Sequence, residues 1–244
     1  MAGTTRRRNN AVPFQRGAGE ARADCAAIRA GRRGTDGIVF ERARLSSPIR
    51  LVAGLGNPGR GYASTRHNAG FWFADRLASM LNASFSHEAR FAADVAKAGD
   101  LRICKPMTYM NGSGRAVAGL ARFFGVPPES ILVVHDELDL RPGDVKLKQG
   151  GGHAGHNGLR DIHAHLGSAD YWRLRFGIGH PRNTELPERE VIDYVLKPPA
   201  AADREAIEAA IGRALDVWPA IAAGDMERAM MTVHTRPRDA AEPQ

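Results

Sequence analysis

The chain has 244 residues, 43% of them apolar, a formal charge of +7 and two cysteines. That length supports one sizeable core. Cys25 and Cys104 form no C-x-x-C pair, which argues against a disulfide framework or a cysteine-based zinc site and fits a reducing cytoplasm, and no apolar run approaches the roughly 18 residues of a membrane-spanning helix.

The charge is unevenly placed. Residues 1–50 hold eleven Arg, no Lys and four acids, whereas the other 194 residues hold 23 basic and 23 acidic groups, so bulk charge assigns no binding face to the rest of the chain. Residues 1–47 are rich in Arg, Ala and Gly and have no apolar period. They are expected to be a disordered extension, either a flexible start or an RNA-binding arm, with neither a secretory h-region nor the acid-poor composition of a transit peptide. Residues 48–235 are expected to form one domain, and 236–244 a loose tail.

From residue 48 onward, short apolar runs bounded by turn residues mark strands: IRLVAG (49–54), FAADVAKA (91–98), LRICKP (101–106), ILVVHD (131–136), DVKLKQ (144–149) and WRLRFGIG (172–179). Between them lie helical stripes: Phe73, Leu77, Met80 and Leu81, then Ala116, Val117, Leu120, Phe123 and Phe124. Ile207, Ile211, Leu215, Trp218 and Ile221 place one long helix near the C-terminus. The alternation predicts a single α/β domain with a mixed, largely parallel twisted sheet, helices on both faces and further helices at the C-terminal end.

GLGNPG at 54–59 follows the first strand and has the G-x-G-x-x-G form of a dinucleotide-binding turn. Such a turn must run directly into a helix and be followed, about 20 residues on, by an acid at the end of a second strand. Here the first helix start is Asn68, and the acid near that distance, Asp75, falls inside the helix. A tight turn that exposes Asn57 at a strand's carboxyl end fits better than NAD binding.

Asn68, Asn111 and Asn157 each precede a helical stripe, the position of an N-cap. His67, Asn111, Asp136 and Asn157 also fall at strand-to-helix or strand-to-loop junctions, the edge where open sheets bind ligands. Asp136 closes ILVVHD, the most apolar strand, and a carboxylate emerging there needs a partner. A histidine such as His67, its tautomer fixed by a carboxylate, would serve as a general base near neutral pH. His153, His156, His163 and His165 lie within thirteen residues and suggest a metal site as an alternative. Two of them sit in a glycine-rich loop and two on different faces of a helix, and no H-E-x-x-H occurs, so no metal is expected.

Four segments then carry a resemblance: GLGNPGRGYASTRHNAGFWFADRLA, KPMTYMNGSGRAVAGLARFFGV, ILVVHDELDLRPGDVKLKQGGGHAGHNGLRDI and YWRLRFGIGHP. In order and spacing the chain resembles the bacterial-type peptidyl-tRNA hydrolases from about residue 49 to about 235. It departs at Ala154, where glycine is usual, at Arg141, where proline is common, and in residues 1–47, which have no counterpart. The resemblance implies hydrolysis of the ester between a peptide and the 3′-terminal ribose of tRNA, in the cytoplasm, by a monomer needing no metal or cofactor. It implies His67 as the base, Asp136 as its orienting acid, Asn111 as the group that holds water and oxyanion, and Asn57 as the discriminator of N-blocked from free aminoacyl groups. Asn157 would bind the peptide main chain, and Tyr62 and Tyr109 would pack along the terminal nucleotide or peptide. Lys146 and Lys148 share one strand face, as do Arg173 and Arg175. The resemblance makes Lys148 and Arg175 the clamp on the 5′ phosphate of the acceptor stem.

Overall fold

The computed structural model describes residues 46–183 and 191–235; the expectations for the N-terminal extension and the C-terminal tail lie outside the described residues. Seven strands form one sheet: β1 (Leu51–Gly54), β2 (Phe85–Glu88), β3 (Ala93–Ala98), β4 (Leu101–Pro106), β5 (Ile131–Glu137), β6 (Val145–Gln149) and β7 (Trp172–Gly177), in the order β2-β3-β4-β1-β5-β7-β6. β4, β1, β5 and β7 are parallel, while β3 runs against β4, β2 against β3 and β6 against β7. The sheet is therefore mixed and largely parallel, as its apolar runs imply.

Successive strand residues point to opposite faces, and the two faces bury different partners. Val52, Leu132 and Val134 pack with α1 (Ala69–Met80) and α5 (Ala201–Asp216), whereas Leu51, Ala53, Ile131 and Val133 pack with α2 (Ser113–Phe124) and α3 (Asn157–Leu166). Trp172, Leu174 and Phe176 of β7 join Val145 and Leu147 of β6 on the α1 and α5 side. The other face of β6 and β7 carries Lys146, Lys148, Arg173 and Arg175, with Lys146 opposite Arg175 and Lys148 opposite Arg173.

Several elements depart from the sequence reading. The C-terminal stripe is broken: α5 ends at Asp216 and α6 (Trp218–Ala223) starts afresh, because Pro219 has no N–H to continue the helix and its ring crowds the preceding turn. A further helix, α7 (Met226–Val233), follows. β2 was not foreseen, since FSHE at a sheet edge has three exposed residues and no apolar alternation. The strand expected at 91–98 begins at Ala93, because residues 89–91 make a 3₁₀ turn and Ala92 takes φ +50°. A short helix, α4 (Val191–Val195), also had no sequence signal, being only five residues long.

Because β4, β1 and β5 are parallel, the turns after them open at one edge of the sheet, and these turns bring together the GNPG loop, the Met110–Gly112 turn and Asp136. The entry to α1 is fixed there by bare backbone. A methyl group on Gly70 would lie 2.4 Å from Leu55 N and 2.4 Å from Val134 O, and one on Gly54 would lie 2.4 Å from Gly70 O. Gly54 thus serves helix packing rather than phosphate binding. Ala154, by contrast, sits at φ +47°, a conformation that costs a non-glycine residue about 1–2 kcal/mol.

Gly70→Ala is expected to lower stability by about 3 kcal/mol or more, because its neighbours are backbone and cannot yield; urea denaturation measures it, and a loss under 1 kcal/mol would contradict the packing described. Ala154→Gly relieves the backbone strain but adds freedom to the unfolded chain, for a net gain of up to about 1 kcal/mol in the same assay.

Candidate active site

His67 lies in a 3₁₀ turn, Arg66–Asn68, that leads directly into α1. Its Nδ1 stands 2.9 Å and 3.0 Å from the two carboxylate oxygens of Asp136. The carboxylate can only accept, so Nδ1 carries the proton and Nε2 is left with a free lone pair. Asp136 is 3% exposed and receives a second imidazole: Nε2 of His156, 3.2 Å from Oδ1. His156 Nδ1 accepts from Leu159 N–H at 3.3 Å, which leaves its proton on Nε2, facing Asp136. One buried carboxylate thus fixes two ring tautomers.

The electrostatics follow from that sharing. Burial alone would raise the Asp136 pKa, but the charge and hydrogen bonds of His67 and His156 outweigh it and hold the carboxyl well below its ordinary range. Burial alone would likewise lower His67, yet the charge and hydrogen bond of Asp136 lift its pKa above the ordinary 6.5. His135, fully enclosed, is driven well below 6.5 by burial first and then by His156, despite Asp136 acting in the opposite sense. Its Nδ1–H donates to the Asp136 carbonyl at 2.6 Å, and its ring meets that of His156 at 4.9 Å.

Asn57 is not exposed as its turn suggested; it is 7% exposed, and its Oδ1 accepts from Met110 N–H at 2.7 Å. A glycine-proline turn pressed against a neighbouring loop buries its polar residue. Because Oδ1 faces the Met110 donor, the amide of Asn57 is fixed with its Nδ2 donor on the opposite side. Asn68 holds this turn in place, accepting from Asn57 N at 2.9 Å and donating to Asn57 O at 3.0 Å. None of the three asparagines read as caps bonds a helix end through its side chain, although Asn68 does stand at the N-cap position of α1. Asn68 is spent on Asn57, Asn111 lies inside a 3₁₀ turn that starts after Tyr109, and His156 rather than Asn157 caps α3. Asn157 instead accepts from Arg160 at 2.8 Å. Asn111 and Asn157 are both exposed at this edge of the sheet. The rings of Tyr62 and Tyr109 meet edge to face at 6.2 Å, with Tyr109 62% exposed.

A cleft of about 200 Å³ opens beside His67, Asp136 and His156. One wall is polar (Glu137, His153, Asn157) and the other is apolar (Leu138, Val191, Ile192, Val195). Apart from Leu138, the apolar wall belongs to α4, which is tied to the turn that carries His67 by Arg66. This buried side chain donates to the carbonyls of Tyr194, Lys197 and Pro198 at 3.0–3.2 Å and stacks on the Tyr194 ring at 4.1 Å. Sequence reasoning missed Arg66, the bonding of Asn68 to Asn57 and the pairing of His156 with Asp136. Only the HN in GHNGLRDI hinted at the last, and it was read through Asn157. Of the four clustered histidines, His156 reaches the site, His153 lines the cleft, and His163 and His165 remain on α3. Among the described residues, His67, Asp136 and His156 are also the one group whose ligand atoms lie within 4.8 Å of each other. As hydrogen-bonded here, both histidines direct a proton, not a lone pair, at the carboxylate.

The basic face is divided. Lys148 is exposed, and Arg175 donates through Nε to Glu137 at 2.9 Å with a side chain 24% exposed, whereas Arg173 is 4% exposed and turned beneath the glycine-rich loop. Lys148 and Arg175 are diagonal cross-strand neighbours, a spacing of roughly 7–8 Å.

A family profile described as peptidyl-tRNA hydrolase matches residues 51–241. The peptidyl-tRNA hydrolase of Bordetella avium is 53% identical over 203 residues, covering 82% of this chain and 98% of that protein. That of Bordetella petrii is 55% identical over 195 residues, covering 78% and 92%. A crystal structure of peptidyl-tRNA hydrolase from Acinetobacter baumannii superposes with a TM-score of 0.74 at 41% identity, covering 78% of this chain and 96% of that one. No helix among the described residues is long and apolar enough to cross a membrane. On its sequence, its sheet and these matches, the chain is a hydrolase and belongs to the bacterial-type peptidyl-tRNA hydrolase family.

Proposed function

We propose that this chain hydrolyses the ester of N-blocked peptidyl-tRNA, releasing peptide and free tRNA and so recycling tRNA from interrupted translation. The observation that carries the mechanism is the His67 Nδ1–Asp136 contact at 2.9 Å, because it leaves Nε2 unprotonated on a residue that lines the cleft. Nε2 takes a proton from water as the water oxygen bonds to the ester carbonyl carbon. The resulting imidazolium, stabilised by Asp136, returns the proton to the ribose oxygen as the C–O bond breaks. Asn111, exposed in the Met110–Gly112 turn, would hold the water and the developing oxyanion; a donor of this kind contributes on the order of 10²–10³ in kcat. No step calls on a metal or cofactor.

Selectivity follows from which atom of Asn57 is free. With Oδ1 turned to Met110, Asn57 directs its Nδ2 donor away from that turn, where it would satisfy an acyl carbonyl and oppose the three donors and charge of a free α-ammonium. Asn157, beside the cleft, is placed to pair with the peptide main chain, while Tyr62 and the exposed Tyr109 offer ring surface to the terminal nucleotide or peptide. Lys148 and Arg175 supply phosphate contacts on a domain without net basic excess, which favours moderate, salt-sensitive binding of the acceptor stem. We read the chain as a monomer that works in the cytoplasm.

Incubation of the purified chain with N-acetylaminoacyl-tRNA and its unacetylated counterpart, with chelator present, tests this reading. Cleavage of the acetylated substrate alone is expected; cleavage of neither, or of both equally, contradicts it. His67→Ala is expected to abolish turnover with little change in tRNA affinity. The reaction needs neutral His67, whose pKa is raised, so activity should fall as pH drops through a midpoint above 6.5. Asp136→Asn removes the raising charge and leaves burial, so its acid limb should move to lower pH, while the plateau rate falls by about 10²- to 10⁴-fold. A limb that moves upward instead would refute the pairing. Lys148→Ala and Arg175→Ala should raise KM more than they lower kcat and flatten its salt dependence.

A further inference from the structure

We infer that Arg173 is a positioning residue: its buried guanidinium shapes the glycine-rich loop so that His156 arrives at Asp136 and Asn157 at the cleft. The inference rests on the hydrolase reading above. By strand alternation Arg173 shares a face with Lys148 and Arg175 and lies directly opposite Lys148, which would make it a third phosphate cation. The side chain does something else. It is 4% exposed, Nη1 donates to Gly152 O at 2.8 Å, and Nη2 donates to Gly150 O. Its charge is met by peptide carbonyls and by the nearby carboxylate of Glu137, against the opposing effects of burial and Arg175.

The loop is moulded around this group. Gly151 has φ +93°, and a methyl group there would lie 2.6 Å from Arg173 Nη2 and 3.2 Å from Lys148 Nζ. The chain then turns at His153, whose carbonyl accepts from His156 N–H at 2.8 Å, and delivers His156 with Nε2 on Asp136 and Nδ1 on Leu159 N–H. Between β6 and α3 the loop reads GGGHAGH, four glycines in seven residues, a composition with high backbone freedom unless something holds it. A planar fork that bonds two carbonyls two residues apart supplies that hold; an ammonium, being a point charge, cannot match it.

The test compares Arg173→Gln, Arg173→Lys and Gly151→Ala with the parent on two substrates. One is N-acetylaminoacyl-tRNA; the other is the corresponding N-acetylaminoacyl-adenosine ester, which has no phosphate. Positioning predicts that each variant loses about 10- to 100-fold in kcat on both substrates, with the salt dependence of KM on tRNA unchanged. It also predicts that Arg173→Gln combined with His156→Ala costs less than the product of the single losses. A loss confined to the tRNA substrate with a shallower salt slope would make Arg173 a phosphate ligand and overturn the inference, as would full activity of all three variants. Should Arg173→Gln fail to fold, Arg173→Lys and Gly151→Ala, checked by their thermal melting, decide the same question. Parent protein inactive on N-acetylaminoacyl-tRNA would instead defeat the hydrolase reading, a separate failure.

Discussion

A single buried carboxylate organises the site. Asp136 leaves the central strand with only 3% of its surface exposed, and a charge so enclosed persists only if its oxygens are met by donors. Two imidazoles meet them, from opposite directions in the chain: His67 from the turn before α1, and His156 from the turn before α3. The price is that neither ring can rotate freely, and that fixed orientation leaves the Nε2 of His67 with its lone pair. Were Asp136 neutral, burial would depress His67 and leave its tautomer undefined.

The rest of the molecule keeps those three side chains within reach. Parallel β4, β1 and β5 open their turns at a common edge, and the contact of Gly70 with the Leu55 and Val134 backbone sets α1, hence His67, at a fixed height above Asp136. Arg66 draws the apolar wall of α4 to the same turn, and Asn68 locks the loop that carries Asn57. Residues adjacent in sequence, Arg66, His67 and Asn68, thus face three different parts of the site. A helix entry wound as a 3₁₀ turn spreads successive side chains about 120° apart, which permits this.

Much of the fold was legible in the sequence, because alternating apolar runs of strand and helix length report burial directly: β1, β4, β5, β6, β7, α1 and α2 each stand close to their expected places. What was not legible is instructive. β2 buries almost nothing and so leaves no apolar signature, and the break between α5 and α6 is made by Pro219, whose backbone effect an apolar stripe overlooks. In the site, His67 and Asp136 were found as residue types at strand ends. The burial of Asn57, the capping by His156 and the inward turn of Arg173 were not, since each is decided by a partner more than ten residues away or by loop geometry that spacing does not encode. Strand periodicity put Arg173 and Arg175 on the same face; it could not say that one would pair with the Glu137 carboxylate and the other with the protein's own carbonyls.

The most direct test of this account is the protonation of one ring. Nitrogen NMR of the imidazoles, followed through a pH titration of the intact protein, reports which nitrogen of His67 carries the proton and at what pH the second proton leaves. The account predicts an Nδ1–H tautomer with unprotonated Nε2 above a pKa higher than 6.5. An Nε2–H tautomer, or a pKa at or below that of a free imidazole, would mean that Asp136 does not hold His67 as described, and the proposed base would be lost with it.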